Sequence, residues 1–488
     1  MDNALETLLD LAREQPERPL LTTEGRSFTR AGFVGRAAAL AGRLADSGLA
    51  HGERVATLLE EYDNFFVAMM AAWLAGAALV PLNKSLPAAD LEWLVAKAAP
   101  RVLLTEDDGA APEGPLRLPA VAAELPEASL PAALAPVAPD ELAMIMFTSG
   151  TTGVPKGVCH TLRAIGGNAG RVARVLGLTA DDRIFINTPP YFTSGICHFL
   201  TLLAAGGSTV GRRGFFFGDG LLAEMAELGC TGFGGAPAHL VRVVEPLADG
   251  ATVPGGVRFW VSSGDHLSLD TIARARRLLP DVALFNMYGL TEVGGRLCVL
   301  PPAELERRRG SVGRPLADMA VTVRAPDGAP VPDGEQGELY VDGPLVMGGY
   351  LDEPRLTDAA LTAHGFRTGD FGHRDADGFV WVAGRKDDII KRGGEKVSIV
   401  HIQEALRTLG RFADVAVIAV DDAILGHVPV AFVVPADGAP VKRTAVMREL
   451  RGLLPASSLP SRIVPLDEIP RTGSGKAVRG ELLKLAAT

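Results

Sequence analysis

The first residues along the chain whose types and spacing could do chemistry form a run rich in glycine and hydroxyl groups. The run is Phe147-Thr148-Ser149-Gly150-Thr151-Thr152-Gly153-Val154-Pro155-Lys156-Gly157, and it follows an apolar segment. Glycines let a backbone turn tightly and direct N–H groups into an anion-binding concavity, and the hydroxyls and Lys156 add donors and charge. Pro155 stands where a Walker A loop requires glycine. The run therefore predicts a polyphosphate-binding loop of another type, because a simple surface turn would not need so many specified residues.

Four further groups of chemically capable residues follow in the second half of the chain. They are Asn286-Met287-Tyr288-Gly289-Leu290-Thr291-Glu292, Arg367-Thr368-Gly369-Asp370, Gly384-Arg385-Lys386-Asp387-Asp388 with Lys391-Arg392-Gly393-Gly394-Glu395-Lys396, and Pro470-Arg471-Thr472-Gly473-Ser474-Gly475-Lys476. Each group alone is a weak signal, but five in this order are specific. Over nearly the whole chain they resemble the motifs of the adenylate-forming superfamily of acyl- and aryl-CoA synthetases, adenylation domains and luciferases. The likeness to acyl- or aryl-CoA ligases implies that ATP activates a carboxylic acid as an acyl-adenylate and that the acyl group then passes to the thiol of CoA.

The resemblance assigns ATP-binding roles to the first three motifs and to Arg385. The loop and Lys156 would hold the phosphates, and Glu292 would hold Mg²⁺, which prefers hard oxygen ligands. Thr291 would donate to the α-phosphate, Tyr288 would stack on adenine, and Asp370 would accept from the ribose hydroxyls. The alternative for Tyr288 is an ordinary packed tyrosine, and that for Asp370 is an aspartate in a turn. The alternative for Arg385 is a surface ion pair. The full set of predicted ATP-binding residues is Thr148, Ser149, Gly150, Thr151, Thr152, Gly153, Asn286, Tyr288, Gly289, Asp370 and Arg385.

Lys476 lies in a Gly-Ser-Gly loop, which suits a residue that must enter and leave a site. The resemblance implies that Lys476 bridges the substrate carboxylate and the α-phosphate, where its compact charge stabilises developing negative charge. The C-terminal domain would then rotate about the hinge residue Asp387 and present Gly393 and Gly394 as part of the thiol tunnel. The predicted catalytic residues are Lys476, Glu292, Thr291 and Lys156.

The acid-binding pocket is predicted from the segment Pro189-Pro190-Tyr191-Phe192-Thr193-Ser194-Gly195, in which Phe192 stands where many relatives have histidine. Relatives that activate α-amino acids carry an aspartate at the position of Thr193. An unpaired buried ammonium is costly, so we expect an aromatic or short aliphatic acid instead. His239 is either a pocket residue or a packed core histidine. Arg296 either binds an extra anionic group of the substrate or lies on the surface, and we favour the surface. The predicted pocket residues are Phe192, Thr193, Gly235, Ala236, Pro237, His239, Ser263, Gly264 and Asp265.

The acceptor of the acyl group is the second choice that the sequence leaves open. CoA ligases often carry a Lys-x-Pro sequence near the position of Leu459-Pro460, and this chain lacks that lysine. We favour CoA over the phosphopantetheine of an acyl carrier protein. A catalytically inactive nucleotide-binding relative is the alternative of another class, but such a protein would have lost Lys476 or Glu292. The predicted cofactors are ATP, Mg²⁺ and CoA, or a carrier-protein phosphopantetheine in its place.

The elements that must position these residues follow from hydrophobic periodicity. Helical patterns such as Arg30–Ala45 alternate with β-rich runs such as Phe259–Val261, which predicts an α/β fold with largely buried sheets. Residues 107–140 are rich in alanine and proline and predict a surface excursion. Hairpin signals after about residue 320 add a β-rich section. We predict a large N-terminal adenylate-forming domain, residues 1–386, and a small mobile α+β C-terminal domain, residues 387–488.

One uncharged stretch, Phe65–Leu82, reaches the length at which a membrane span is considered. Gly76 can end a helix that begins near Phe65, and Ala78-Leu79-Val80-Pro81 is typical of a short buried strand. We therefore predict a buried helix and strand and no membrane span.

The bulk composition excludes several classes of protein. The 488 residues carry a net charge of −10, which argues against nucleic-acid binding. Four widely separated cysteines predict reduced thiols, and nine scattered histidines show no metal-ligand spacing. The acidic N-terminus lacks the basic start of a signal peptide. We expect a cytoplasmic enzyme whose partners are a small carboxylic acid and CoA or an acyl carrier protein, with a homodimer as the hypothesis for its assembly.

Overall fold

The computed structural model of the protein describes residues 3–106, 112–129, 134–148, 155–213, 219–248, 250, 252–385, 389–392, 395–422, 425–436, 438, 440–471 and 477–487. Within these ranges the chain forms four β-sheets, with α-helices on their faces. The arrangement is a large N-terminal domain followed by a smaller C-terminal domain, which confirms the predicted α/β fold class with its β-rich section.

The helices and strands alternate along most of the chain. The α-helices are α1 (Ala4–Glu14), α2 (Arg30–Asp46), α3 (Tyr62–Leu74), α4 (Ala88–Ala98), α5 (Leu162–Leu176), α6 (Thr193–Ala205), α7 (Asp219–Glu227), α8 (Pro237–Ala248), α9 (Leu269–Leu278), α10 (Pro354–Ala360), α11 (Ile399–Thr408), α12 (Arg443–Leu450) and α13 (Arg479–Ala487). The strands are β1 (Pro19–Thr23), β2 (Arg26–Thr29), β3 (Arg54–Leu58), β4 (Ala78–Pro81), β5 (Val102–Thr105), β6 (Leu116–Pro119), β7 (Leu142–Thr148), β8 (Lys156–Thr161), β9 (Arg183–Ile186), β10 (Ser208–Gly211), β11 (Gly232–Gly235), β12 (Phe259–Ser263), β13 (Ala283–Tyr288), β14 (Cys298–Leu300), β15 (Arg314–Pro315), β16 (Ala320–Arg324), β17 (Gly337–Asp342), β18 (Gly349–Tyr350), β19 (Leu361–Thr362), β20 (Gly365–Arg374), β21 (Val380–Arg385), β22 (Ile389–Arg392), β23 (Glu395–Ser398), β24 (Phe412–Asp422), β25 (Gly426–Pro435) and β26 (Arg462–Pro465).

Two large sheets organise the N-terminal domain. A nine-stranded sheet has the order β15-β14-β13-β12-β11-β9-β10-β1-β2, and a seven-stranded sheet has the order β18-β8-β7-β4-β3-β5-β6. Helices α2, α3, α5 and α6 share one hydrophobic core with both sheets. Helices α7, α8 and α9 cover the other face of the nine-stranded sheet, and α4 covers the other face of the seven-stranded sheet. Both sheets are therefore buried on two faces, as near-continuous apolar strands require.

Helix α3 explains the uncharged stretch that the sequence analysis weighed as a membrane span. Every residue of α3 is buried, and the indole N–H of Trp73 donates to the carbonyl of Ala143 at 2.8 Å. Gly76 has a φ of +77°, so the chain turns sharply into β4. A helix that is apolar all round suits a position between two sheets. No helix in the part of the chain that the structure describes is long and apolar enough to cross a membrane.

The β-rich section and the C-terminal domain each have their own sheet. Strands β16-β17-β20-β19 form the third sheet, with β21 beside β20. In the C-terminal domain the order is β23-β22-β25-β24, with β26 parallel to β25. Helices α11 and α12 pack on one face of this sheet, and α13 packs on the other. The predicted boundary between residues 386 and 387 lies outside the described residues and stays a prediction.

Candidate active site

The carboxyl ends of neighbouring parallel strands bring most predicted pocket residues to one edge of the nine-stranded sheet. Strands β9, β11, β12 and β13 run parallel in this order. Ligands in open α/β sheets bind outside the carboxyl ends of such strands. The predicted residues at this edge are Gly235, Ala236 and Pro237 after β11, Ser263, Gly264 and Asp265 after β12, and Tyr288, Gly289, Thr291 and Glu292 after β13, with Asn286 on β13 and Phe192 and Thr193 beyond β9 at the start of α6.

The second and third motifs meet through a direct hydrogen bond. The hydroxyl of Tyr288 donates to Oδ2 of Asp370, and the amide of Asp370 donates to the hydroxyl of Thr368 at 2.9 Å. Asp370 is buried in β20, opposite Arg385 of β21. The carboxylate thus stands in a strand and not in an exposed turn, whereas the side chain of Arg385 lies outside the described part of the structure.

A tyrosine that the sequence analysis did not single out connects Glu292 and Lys156. The hydroxyl of Tyr350 donates to Oε1 of Glu292 at 3.1 Å, and Nζ of Lys156 lies 5.4 Å from the centroid of the Tyr350 ring. Tyr350 is in β18, which pairs with β8, the strand that begins at Lys156. The only sequence signal for Tyr350 is its place after two glycines, because the pairing of β18 with β8 is a tertiary contact.

Two threonine hydroxyls face each other between the pocket segment and the second motif. Oγ1 of Thr193 lies 3.2 Å from Oγ1 of Thr291 and 3.4 Å from the sulfur of Met146. The carbonyl of Thr291 accepts from Nε2 of His160 at 2.6 Å. His160 is fully buried, and this burial lowers its pKa to about 4, so its imidazole is neutral at pH 7. The sequence analysis missed His160, whose position in β8 had no motif to mark it.

The two ends of the predicted phosphate loop are held by a hairpin. Strand β7 ends at Thr148, which pairs with Lys156 at the start of β8. The predicted loop residues Ser149, Gly150, Thr151, Thr152 and Gly153 lie outside the described residues. Lys156 itself is partly buried at the base of the hairpin.

Close packing explains Gly289 in the second motif. A Cβ atom at Gly289 would overlap the carbonyl of Gly295. The backbone after the motif therefore folds back directly onto Gly289, and only glycine fits this approach. This turn brings Gly295 against α6, where a Cβ atom at Gly295 would lie 2.7 Å from Cγ2 of Thr193 and 2.5 Å from Sγ of Cys197.

His239 is a buried histidine that fixes the start of α8. Its Nδ1 accepts from the amide of Ala236 at 2.9 Å, and burial lowers its pKa to about 4. The contact satisfies an otherwise unpaired amide at a helix start. Phe192 directly precedes α6, and its ring lies 4.8 Å from the ring of Tyr191. Asp265 is exposed, which separates it from the buried Ser263.

Arg296 is buried and not on the surface, so the preferred interpretation of this residue was wrong. Only 5% of Arg296 is exposed. Asn168 fixes its backbone, since Nδ2 of Asn168 donates to the carbonyls of Val293 at 3.0 Å and Arg296 at 2.7 Å. The backbone that turns back at Gly295 carries the guanidinium inward, a tertiary effect without a sequence signal.

The lysine loop and the thiol tunnel fall largely outside the described residues. These predictions comprise Lys476, the hinge Asp387, and Gly393 and Gly394. The ends of the lysine loop are described: Arg471 and Ala477 form an antiparallel bridge, and Arg471 donates twice to the carboxylate of Asp414, at 2.9 and 2.6 Å. Arg471, which precedes the loop, is thus fixed to β24 of the C-terminal domain.

The two domains touch beside this site. Nε2 of His266 lies 2.8 Å from Oε1 of Glu404 on α11, and the hydroxyl of Ser398 donates to the carbonyl of Ala383 at 2.9 Å. Burial alone would raise the pKa of Glu404, but the neighbouring imidazole of His266 and the charge of Arg407 lower it below its ordinary value. The α11 face of the C-terminal domain therefore lies close to the loop after β12.

The sequence matches the model of the AMP-binding enzymes over residues 9–351 and that of the AMP-binding enzyme C-terminal domain over residues 401–476. The chain belongs to this family. The predicted membership of the adenylate-forming superfamily is confirmed, as is the type of enzyme, an ATP-dependent acid–thiol ligase.

Relatives of this AMP-binding enzyme match it over nearly the full length of both chains. The sulfoacetate–CoA ligase of Cupriavidus necator is 31% identical and covers 97% of this chain and 96% of its own. The indoleacetate–CoA ligase of Aromatoleum aromaticum is 30% identical with the same coverage. The o-succinylbenzoate CoA synthetase of Bacillus subtilis, solved with its acyl-adenylate intermediate, superposes with a TM-score of 0.87 at 26% identity and covers 98% of this chain and 97% of its own.

Proposed function

We propose that this enzyme activates a small carboxylic acid other than an α-amino acid with ATP and then transfers the acyl group to the thiol of CoA. The observation that carries the proposal is the meeting of separate motifs at one sheet edge, through the Tyr288–Asp370 and Glu292–Tyr350–Lys156 contacts. Relatives named as CoA ligases support CoA as the acceptor.

The first half-reaction brings two anions together, so its barrier depends on how well negative charge is neutralised. The acid attacks the α-phosphorus and pyrophosphate leaves, which needs positioning and electrostatic stabilisation and no covalent enzyme intermediate. We assign the phosphates to the loop and Lys156, and the α-phosphate to Thr291, whose carbonyl is fixed by His160. Tyr288 and Asp370, joined by a hydrogen bond, are placed to receive the nucleoside.

The residues around Glu292 fit a divalent cation. Its carboxylate is partly buried and accepts from Tyr350, and no lysine or arginine of the described chain lies within ion-pair distance of it. Hard oxygen ligands suit Mg²⁺. When bound, Mg²⁺ supplies positive charge to the phosphate oxygens, and Glu292 would hold it. The o-succinylbenzoate CoA synthetase of Bacillus subtilis has also been solved with ATP and a magnesium ion.

Thr193 supports the exclusion of α-amino acids. Its hydroxyl contacts only Met146 and Thr291 among the hydrogen bonds of the described residues. None of the described hydrogen bonds of Thr193 is to a carboxylate that could pair with an ammonium group, and an unpaired buried ammonium is costly. The Thr193 hydroxyl can instead donate to an oxygen of the reacting carboxylate, beside the Thr291 hydroxyl that is assigned to the α-phosphate.

For the second half-reaction we propose that the C-terminal domain, residues 387–488, rotates about Asp387. Lys476 would leave the site after adenylation, and Gly393 and Gly394 would then line the path of the thiol. The polar contacts between the domains that the structure describes support the proposal, since pairs such as His266–Glu404 can be exchanged for others when domains rotate. A cytoplasmic location and a homodimer stay predictions of the sequence.

The test is ATP–pyrophosphate exchange with a panel of carboxylic acids and free amino acids, followed by thioester formation with CoA or with a phosphopantetheinylated carrier protein. We expect acid-dependent exchange without CoA, and acyl-CoA as the product when CoA is added. A free amino acid as the best substrate would refute the role of Thr193. If a thioester forms only on the carrier protein, the carrier protein and not CoA is the acceptor. Nucleotide binding without pyrophosphate exchange would identify a catalytically inactive relative.

A further inference from the structure

Arg296 is a buried cation with an unused hydrogen-bond donor. Its Nη1 donates to the carbonyl of Gly295 at 3.0 Å, but Nη2 has no hydrogen-bond partner among the residues that the structure describes. Within the same residues no carboxylate lies within ion-pair distance of the guanidinium. A buried charge is normally paired with an opposite charge, and Arg296 has no such partner among the described residues.

A second buried arginine in the same domain shows what a guanidinium with both terminal nitrogens paired looks like, although its Nε has no partner among the described residues. Arg30 of α2 is fully buried. Its Nη1 donates to the side chain of Gln15 at 2.6 Å, and its Nη2 donates to the carbonyl of Gly206. Both terminal nitrogens of Arg30 are therefore used by the protein itself. Arg296 differs because one of its terminal nitrogens has no partner among the described residues and can donate to a ligand.

Arg296 lies next to the residues that are predicted to form the acid pocket. Arg296 follows Gly295, which packs against Thr193 and Cys197 at the start of α6. Its charge acts on the next residue of α6, since burial and the nearby Arg296 lower the pKa of His198 well below its ordinary value. His198 in turn packs against β11, where a Cβ atom at Gly234 would lie 2.6 Å from its ring. Arg296 therefore stands between α6 and the strand end that carries the predicted pocket residues.

The neighbours of Arg296 cannot balance its charge. His198 is buried and neutral, and its Nε2 has no partner among the described residues. Cys197 keeps its proton, because burial raises the pKa of the thiol, and Sγ donates to the carbonyl of Gly294 at 3.2 Å. Among the described residues, this region thus has a positive charge and a neutral imidazole but no anion paired with Arg296, which is the chemistry of a site for an anionic group.

We propose that the acid substrate carries a second anionic group, a carboxylate or a sulfonate, and that Nη2 of Arg296 donates to it. The inference rests on the proposed function, because it places the reacting carboxylate beside Thr193 and Thr291. In its Nε2–H tautomer, His198 supplies a second donor to the same group. Guanidinium binds carboxylate and related oxyanions through strong charge-assisted hydrogen bonds. An acid without this group would leave the buried cation unpaired once it filled the pocket.

The test compares matched acids in ATP–pyrophosphate exchange: malonate with propionate, succinate with butyrate, 3-sulfopropionate with butyrate, and terephthalate with benzoate. For at least one pair we expect the wild-type enzyme to show a kcat/KM ratio that favours the dianionic acid by at least ~10-fold. In Arg296→Gln this ratio should fall by about 10- to 100-fold, the effect of one hydrogen bond to a charged group. The best pair identifies the second group as a carboxylate or a sulfonate.

Arg30→Gln is the matched control, since it removes an equally buried guanidinium away from the pocket and should keep the wild-type ratio. If Arg296→Gln does not fold, as judged by circular dichroism, the test depends only on the kcat/KM ratios of dianionic to monoanionic acids for the wild-type enzyme. Exchange with monoanionic acids and not with their dianionic partners overturns this inference and leaves the proposed function intact. Equal losses in both variants would make Arg296 a purely structural residue, and exchange with no acid would overturn the proposed function itself.

Discussion

Tyr350 stands between the two charged side chains on which ATP binding should depend, and Tyr350→Phe tests that arrangement. The substitution removes the hydroxyl that donates to Glu292 at 3.1 Å. It keeps the aromatic ring whose centroid lies 5.4 Å from Nζ of Lys156. The change therefore separates the orientation of Glu292 from the contact with Lys156.

The size of the effect follows from the geometry of that hydrogen bond. A hydrogen bond to a charged group contributes about 1.5–3 kcal/mol when it is well shielded. Glu292 and Tyr350 are only partly buried and the donor–acceptor distance is ordinary, so solvent lowers the expected value to about 1–1.5 kcal/mol. This corresponds to an increase of about 5- to 10-fold in the Mg²⁺ concentration required for half-maximal activity. The rate at saturating Mg²⁺ should change little, because the carboxylate itself is still present.

The assay is pyrophosphate exchange at saturating acid and ATP with Mg²⁺ varied over several orders of magnitude. Tyr340→Phe is the matched control: Tyr340 is a buried tyrosine in β17 whose ring lies beside Arg324. It should keep the wild-type Mg²⁺ requirement. An unchanged Mg²⁺ requirement in Tyr350→Phe, or an equal shift in both variants, would refute the assigned link between Tyr350 and Glu292.

Three further perturbations test the site and its surroundings. Glu292→Gln keeps the size of the side chain but removes its charge, and should lower the exchange rate by at least ~10²-fold; a wild-type rate at saturating Mg²⁺ would contradict the metal assignment. Lys476→Ala should lose exchange to a similar extent yet still convert a supplied acyl-adenylate to thioester, and equal losses in both steps would argue against domain alternation. His160 is neutral when folded, with its pKa lowered from 6.5 to about 4 by burial, so the unfolded chain binds more protons between these values and stability falls as the pH drops below 6.5. Urea unfolding at pH 7 and pH 4.5 measures the free energy of unfolding at each pH. Between these two values it should decrease by about 2 kcal/mol less in His160→Gln than in the wild type. Equal decreases in the two proteins would rule out a neutral buried imidazole.

Much of the N-terminal fold could be predicted because its helices and strands carry strong periodic patterns. The predicted helix Arg30–Ala45 corresponds to α2, and the helix and strand in Phe65–Leu82 correspond to α3 and β4. Residues 107–140 are only partly a surface excursion, because Leu116–Pro119 forms β6 parallel to β5. This strand lies at the edge of its sheet and is largely exposed. An exposed edge strand needs no apolar pattern, so its sequence gave no strand signal.

The candidate site likewise contains residues that the sequence predicts and residues that it does not. Motifs whose backbone must turn tightly or bind phosphate leave a local pattern, and the family match bears out the resemblance that they carried. Tyr350 and His160 left no such pattern, because each acts through one contact made across paired strands or between segments far apart in sequence. Arg296 was misjudged for a related reason: charge favours the surface, and only the local fold shows otherwise.

The sequence by itself determined the alternation of elements, the order of the motifs, and the absence of a carboxylate at Thr193, because these depend on residue types and local spacing. Only the tertiary structure decided that Tyr288 meets Asp370, that Tyr350 joins Glu292 to Lys156, and that the Arg296 guanidinium points inward with one nitrogen unused. The physical reason is that burial and pairing depend on which strands become neighbours and on how closely the backbone packs, as at Gly295 against α6. A charged residue in a sequence shows which chemistry is available, and its surroundings in the folded chain decide which ligand that chemistry can bind.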